Sequence, residues 1–320
     1  MTNPTPLLSP PPTPNLLWRP LASADRDAVS ALIAACIAQD GGIPFIANDE
    51  SFLEQFVADV PHPALGGFDD VGQLVACAAA RLDAESEENR VTLVGNVHPA
   101  YRRRGLGNFL MTWAIAQAQA LLASAPQAEH NAISIRTESI TPDAETLYAR
   151  FQFTQAVASN VMRHALQGAL PTAPFPPDIT LAQWSDALAE KFFEAFHASF
   201  RDRPGFVAPS AQEWISCQSD DPDFSPDLSW LASHAGQPVG FIVCAPRWLS
   251  QVGVRPEWRG RGLGAAFVAQ MLQQTQREGG TEVLLDVNVN NPTATRVYAR
   301  LGFEVVGRRG RYVRKSEGEF

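Results

Sequence analysis

One hexapeptide pattern occurs twice in this chain of 320 residues. The copies are Arg102-Arg-Arg-Gly-Leu-Gly107, within "VGNVHPAYRRRGLGNFLMTWAIAQAQ", and Arg259-Gly-Arg-Gly-Leu-Gly264, within "VGVRPEWRGRGLGAAFVAQMLQQ". Each lies between an apolar, strand-like run and a helix-like run. A second shared block follows each copy, "AISIRTESITPDAETLYARFQF" and "EVLLDVNVNNPTATRVYARLGF". A strand, a proline turn and Tyr-Ala-Arg-x-x-Phe are common to both. A period of about 150 residues is that of a whole domain rather than a solenoid unit. The chain therefore reads as a tandem duplication. The expected divisions are a disordered proline-rich leader at 1–16, a first domain at 17–166, a linker at 167–177 and a second domain at 178–320.

Within each half the apolar spacing predicts helices first and strands after. "LASADRDAVSALIAACIAQD" carries Val29, Leu32, Ile33, Cys36 and Ile37 on one helical face, and "ESFLEQFVADV" reads as a second helix. "QLVACAAARL" and "RVTLVGNV" read as strands, and 107–122 as a long helix. In the second half "WSDALAEKFFEAFHASF" and "SAQEWISCQ" are the helices, with "LSWLASHA", "QPVGFIVCAP" and "WLSQVGV" as strands. The fold class is α/β (α+β): two tandem domains, each a mixed, mostly antiparallel sheet flanked by helices.

Composition narrows the function. A net charge of −9, with 45% hydrophobic residues, describes a globular chain without the basic surface of a nucleic-acid binder. No apolar run reaches the roughly 20 residues that span a bilayer, and the start lacks a signal-peptide pattern. Cys36, Cys77, Cys217 and Cys244 are spread without Cys-x-x-Cys pairing, and the 6 histidines show no metal-ligand spacing. No metal, nucleic acid or membrane is expected, and a cytoplasmic location is.

The hexamer itself has direct chemistry. A strand ends at Val254, Pro256 delays the helix, and Gly260, Gly262 and Gly264 permit close approach of a ligand. The helix start then presents unpaired N–H groups at its positive end, a site for phosphate. Arginines add charge-assisted hydrogen bonds. A P-loop is excluded because no lysine stands near either copy. A dinucleotide fold is set aside, because Gly260-x-Gly262-x-Gly264 is not Gly-x-Gly-x-x-Gly and the first copy has Arg136 where the second has Asp286.

Taken together, "VGVRPEWRGRGLG" followed by "LDVNVNNPTATRVYARLGF" resembles the GCN5-related N-acetyltransferases (GNAT), and the first half resembles them with erosion. The resemblance covers about Trp18 to Val313, and the tandem arrangement is similar to that of the mycothiol synthases, which implies a catalytic C-terminal half. The resemblance implies acetyl-CoA (coenzyme A) as cofactor, and a small-molecule or peptide amine as acceptor partner. It implies pantetheine contacts at Val252, Gly253 and Val254, and pyrophosphate contacts at Arg259, Gly260, Arg261, Gly262, Leu263, Gly264 and Ala265. Asn291 is implied as a further cofactor contact, and Tyr298 as the acid that protonates the thiolate leaving group.

No carboxylate stands on the strand before the second loop, so Asp286 is the candidate base; Glu213 acting through water, or no residue at all with an acceptor amine that binds neutral, are the alternatives. In the first half Val97, Arg102, Arg103, Arg104, Gly105, Leu106 and Gly107 keep the cradle and Tyr148 keeps the tyrosine. Thr141, Gln152 and Asn96 replace the asparagine and the glycines of the second half. The acceptor is expected along the first helices and "RDRPGFVAPS". Acylation of a thiol-sugar amine is one alternative, and a non-catalytic acyl-CoA sensor or scaffold is the other. A monomer or homodimer is expected.

Overall fold

The computed structural model describes residues 15–58, 62–84, 88–203 and 206–315. The expected leader through residue 14 lies outside these residues, as do Pro204 and Gly205 of the expected acceptor loop. The chain divides into two compact units, one of residues up to Asn160 together with those from Val306 onward, the other Val161–Val305.

In the first unit the strands are β1 (Leu17–Pro20), β2 (Ala64–Phe68), β3 (Leu74–Ala84), β4 (Glu88–Val97), β5 (His130–Thr137), the start of β6 (Thr154–Ala165) and most of β12 (Glu304–Lys315). They lie in the order β1-β2-β3-β4-β5-β12-β6. The pairs β1–β2, β2–β3, β3–β4 and β5–β12 are antiparallel and β4–β5 is parallel. A parallel pair needs a crossover, and α3 (Leu106–Ser124) provides it. The last strand of the chain runs beside β5 from Gly310↔Thr137 to Lys315↔Ala132.

The apolar face expected of α1 (Arg26–Asp40) is buried at all of its five positions. The second expected helix is shorter than its sequence suggests. α2 covers Glu50–Leu53, and bonds such as Phe56 N to Leu53 O then tighten the chain so that Phe52, Leu53, Phe56 and Val57 all bury. The remaining helix of this unit is α4 (Pro142–Arg150).

The second unit repeats the plan with β7 (Ile179–Gln183), β8 (Trp230–His234), β9 (Gln237–Ala245), β10 (Trp248–Val254) and β11 (Glu282–Asn288), ordered β6-β11-β10-β9-β8-β7. Its helices are α5 (Ala189–Phe200), α6 (Ala211–Ser219), α7 (Leu263–Arg277) and α8 (Pro292–Arg300). Alternation along β8 and β9 sorts its core into two layers. Trp230, Ala232, Ile242 and Cys244 pack with α7 and α8. Leu231, Phe241 and Val243 pack with α5 and α6. The segment 167–177 has no helix or strand, and its Phe175 ring stands 5.3 Å from Phe267. No helix among the described residues is long and apolar enough to cross a membrane.

Candidate active site

β10 starts paired on both sides and ends paired on one. It stays antiparallel to β9 as far as Val254↔Gly240, with a bulge between Leu249 and Gln251. Against β11 it pairs only at Trp248↔Leu284 and Leu249↔Leu285. From Ser250 to Val254 its edge towards β11 is therefore open, a row of backbone donors and acceptors that an extended amide ligand can pair with. A cleft of about 440 Å³ occupies this opening. Phe196 and Phe200 of α5 line it from one layer, and Val268 of α7 with Val297 and Tyr298 of α8 from the other. The sequence-derived residues Val252, Val254, Gly264, Asp286, Asn291 and Tyr298 meet here, with Arg203 and Phe206 beside them.

The loop after β10 is built to bring α7 to this cleft. A 3-10 turn at Pro256–Trp258 leads to Arg259, after which Gly260 (φ +75°) and Gly262 (φ +87°) take left-handed conformations that favour glycine. Gly262 is the N-cap of α7 and supplies no capping side chain, and the first helical bond is Ala266 N to Gly262 O, 2.9 Å. The N–H groups of Leu263, Gly264 and Ala265 are thus presented without a side-chain cap, which is the anion-binding arrangement. A Cβ at Gly260 or Gly262 would meet nothing within 4 Å, so both glycines face open space. At Gly253 the opposite holds. A Cβ there would lie 2.4 Å from Phe241 Cε1, so this glycine packs the strand against α5 and does not line the cleft.

The arginines divide by task. Arg259 donates to Val254 O (3.3 Å), Ser199 O (2.8 Å) and both carboxylate oxygens of Asp202. It thereby ties the strand end to the end of α5, and Asp202 is held below the usual carboxylate range by this hydrogen bonding. Arg261 stacks on Trp258, 4.5 Å from the ring centroid.

Tyr298 is buried, its ring 5.8 Å from that of Phe303. Burial pushes its phenol up to about 12, with Asp286 and Cys244 adding and Arg203 opposing. It therefore holds its proton at neutral pH, as a proton donor must. Asp286 is exposed on the cleft wall. Asn291 is the N-cap of α8, its Oδ1 accepting from Ala294 N at 3.1 Å. Glu213 does not join the cleft. It closes a capping box with Ser210 at the start of α6, and the Ser210 hydrogen bonds lower its pKa.

The first unit repeats the geometry. β4 pairs with β5 over six positions, Glu88↔His130 to Leu93↔Ile135, and then separates. Its loop has the same 3-10 turn at Pro99–Tyr101 and an uncapped N-cap glycine, Gly105 (φ +83°). Arg103 (φ +62°) occupies the left-handed position that Gly260 holds in the second loop. Arg102 donates to Val97 O (3.1 Å) and to Asp40 (2.7 and 2.6 Å), the counterpart of the Arg259 clamp. Arg104 lies over Tyr101 at 5.3 Å. Val97, Arg102, Arg103, Gly105, Leu106, Gly107 and Tyr148 all line a cleft of about 410 Å³. Tyr148 is also raised by burial, with Thr137 opposing.

Known proteins share both halves. Residues 183–303 match the profile of the Acetyltransferase (GNAT) family, and residues 62–155 that of the Acetyltransferase (GNAT) domain. The mycothiol acetyltransferase of Thermobispora bispora is 30% identical over 219 residues, covering 65% of this chain and 70% of that protein. The chain belongs to the GNAT acetyltransferase family. It is an N-acetyltransferase of two GNAT domains in tandem. The mycothiol acetyltransferase of Parafrankia sp. is similar along nearly the whole length, at 28% identity over 90% of this chain and 95% of that one. A solved GCN5-related N-acetyltransferase from Sphaerobacter thermophilus matches the fold with a TM-score of 0.74, at 26% identity over 94% of this chain and 95% of that one.

The sequence did not single out the aromatic wall of the GNAT cleft in the second unit. Phe196 and Phe200 stand one helical turn apart on α5, with Phe206 beyond. Their i, i+4 spacing was the available signal. Because such a stripe equally builds a core, spacing alone could not assign them.

Proposed function

We propose that the second unit transfers an acetyl group from acetyl-CoA to the amine of a small-molecule acceptor. The observation that carries this reading is the strand opening. β10 separates from β11 after Leu249↔Leu285, and the void between them receives the uncapped start of α7, Tyr298 and Asp286 together. The residues fit the donor. The β10 edge from Ser250 to Val254 suits the pantetheine amides, and the N–H groups of Leu263, Gly264 and Ala265 suit the pyrophosphate. The donor supplies an activated thioester whose carbonyl carbon the amine attacks and whose C–S bond then breaks.

This chain's residues orient and move protons around that exchange. The Arg259–Asp202 clamp fixes the loop against α5. Asp286 offers an exposed carboxylate to attract the acceptor ammonium and take its proton. Tyr298, protonated far above neutral pH, donates the proton that the departing sulfur needs. Phe196, Phe200 and Phe206 shield the site from water. The relatives named for mycothiol make an amine-bearing thiol sugar the acceptor to test first.

Free-thiol release from acetyl-CoA, followed across a panel of small amines that includes the thiol sugar, tests the reading. Amine-dependent release is the expected result. Tight acetyl-CoA binding with no release on any acceptor would instead support a sensor.

A further inference from the structure

Two polar donors line the second cleft without an acceptor of their own. Arg203, just beyond α5, lies over Phe200 with its guanidinium 3.9 Å from the ring centroid. Among the described residues that guanidinium has no hydrogen-bond or ion-pair partner, because the neighbouring Asp202 is taken by Arg259. Partial burial, and then the nearby charge of Arg259, lower its pKa, yet an arginine stays charged at neutral pH. A cation set against an aromatic wall without a counter-charge is costly unless an anion meets it.

Gln251 on β10 is held by a different neighbour. The indole N–H of Trp214 donates to its Oε1 at 3.2 Å. An indole nitrogen only donates, so the atom it meets must be the amide oxygen. The NH2 group of Gln251 is thereby turned away from Trp214, and among the described residues it has no acceptor. Both donors stand on the side of β10 that faces α5 and α6, since Arg203 follows α5 and Trp214 belongs to α6.

Neither donor is part of the duplicated frame. Asp202 and Asp40 are matching clamp partners, so Arg203 corresponds to Gly41, which has no side chain. Gln251 stands eight residues before Arg259, as Val94 does before Arg102. The second cleft thus has a guanidinium and an amide donor where the first has a glycine and a valine. The planar fork of a guanidinium matches a carboxylate, and the amide adds a further N–H to it. Asp286 lines the same cleft and suits an ammonium.

We propose that the acceptor of the second cleft carries a carboxylate beside its amine, as an amino acid does, and that Arg203 and Gln251 bind that carboxylate. The inference rests on the transfer reading of the second unit and names the acceptor class within it. Arg203 and Gln251 select the acceptor and take no part in the proton transfers.

The test compares glycine, β-alanine, γ-aminobutyrate and phenylalanine, each against its own carboxamide, by thiol release from acetyl-CoA with the full chain. The carboxamide keeps the shape and removes the charge. For at least one pair the acid should have a kcat/KM about tenfold or more above its carboxamide, the worth of charge-assisted hydrogen bonds. Arg203→Gln should bring that ratio near one by raising the acid's KM, with the KM for acetyl-CoA within about twofold. Arg203→Lys should keep part of the preference, because it retains the charge and loses the fork. Gln251→Glu keeps an oxygen for Trp214 and sets a carboxylate against the acceptor's, so it should lower the ratio below one. Should Arg203→Gln unfold, Gln251→Glu carries the test.

A ratio near one for every pair on the unmodified chain would overturn the proposal, as would a ratio that Arg203→Gln and Gln251→Glu leave unchanged. A raised KM for acetyl-CoA with an unchanged ratio in Arg203→Gln would assign the arginine to the donor and overturn it too. Release with a neutral thiol sugar and none with the acids would leave the transfer reading standing and remove this inference alone. No release with any amine would remove both.

Discussion

The two clefts share a backbone and differ in what surrounds it. Both have a strand that parts from its parallel neighbour, a 3-10 turn, a left-handed glycine at the helix start and an arginine clamped to the strand end and to an aspartate. The second has Asp286 and an asparagine cap where the first has Arg136 and a threonine cap. Only the second strand carries a bulge before the opening, between Leu249 and Gln251, whereas β4 keeps an unbroken register with β3. A duplicated backbone frame thus survives where the side chains around it differ.

The comparison can be broken by exchanging features between the clefts. The largest expected effect is from Gly264→Glu, which sets a carboxylate among the N–H groups that receive phosphate. Acetyl-transfer kcat/KM should fall on the order of 100-fold through lost anion contacts and repulsion, whereas Gly107→Glu should leave it within about twofold by the same logic. Thiol-release kinetics on both variants check this.

Asp286→Arg, which writes the first cleft's residue into the second, should raise the acceptor KM about tenfold while leaving donor binding intact. Steady-state kinetics with varied amine read it out. Asp202→Ala should raise the donor KM about threefold, because the Arg259–Asp202 pair is half exposed and its loss only loosens the loop. Asp40→Ala, breaking the less exposed Arg102 pair, should instead lower stability by about 2 kcal/mol without changing turnover. Thermal unfolding of the two variants distinguishes them.

The smallest effect is in pH dependence. With saturating amine, kcat should stay flat into the alkaline range, since the Tyr298 phenol keeps its proton to about 12. Stability should behave differently. An unfolded tyrosine ionises near 10, below the folded value, so the unfolded chain releases its proton first and the fold weakens as pH rises from about 10 to 12. Denaturant unfolding across that range follows the loss.

What the sequence made legible was local. The face of α1, the strand before each hexamer and the glycine-started helices all follow from spacing and turn chemistry within a few residues. What escaped it was pairing at a distance. The clamp partners Asp40 and Asp202 lie 62 and 57 residues from their arginines, and nothing in a single sequence announces such pairs. The pairing of β12 with β5 is hidden for the same reason. Glu213 reads as a spare carboxylate until Ser210, three residues earlier, is seen to share its hydrogen bonds. The tight turn after α2 depends on burying Phe52 and Phe56 together, a tertiary demand that overrides the helical pattern of the segment.

The central claim is that acetyl transfer belongs to the second cleft, with Tyr298 as the proton donor. The most direct measurement is thiol release by Tyr298→Phe and Tyr148→Phe, compared at saturating acetyl-CoA and amine. Removing a positioned acid typically costs about 100-fold or more. The account predicts that loss in kcat for Tyr298→Phe, with donor KM unchanged, and turnover within about twofold of the unmodified chain for Tyr148→Phe. Turnover that survives Tyr298→Phe and is abolished by Tyr148→Phe would contradict it.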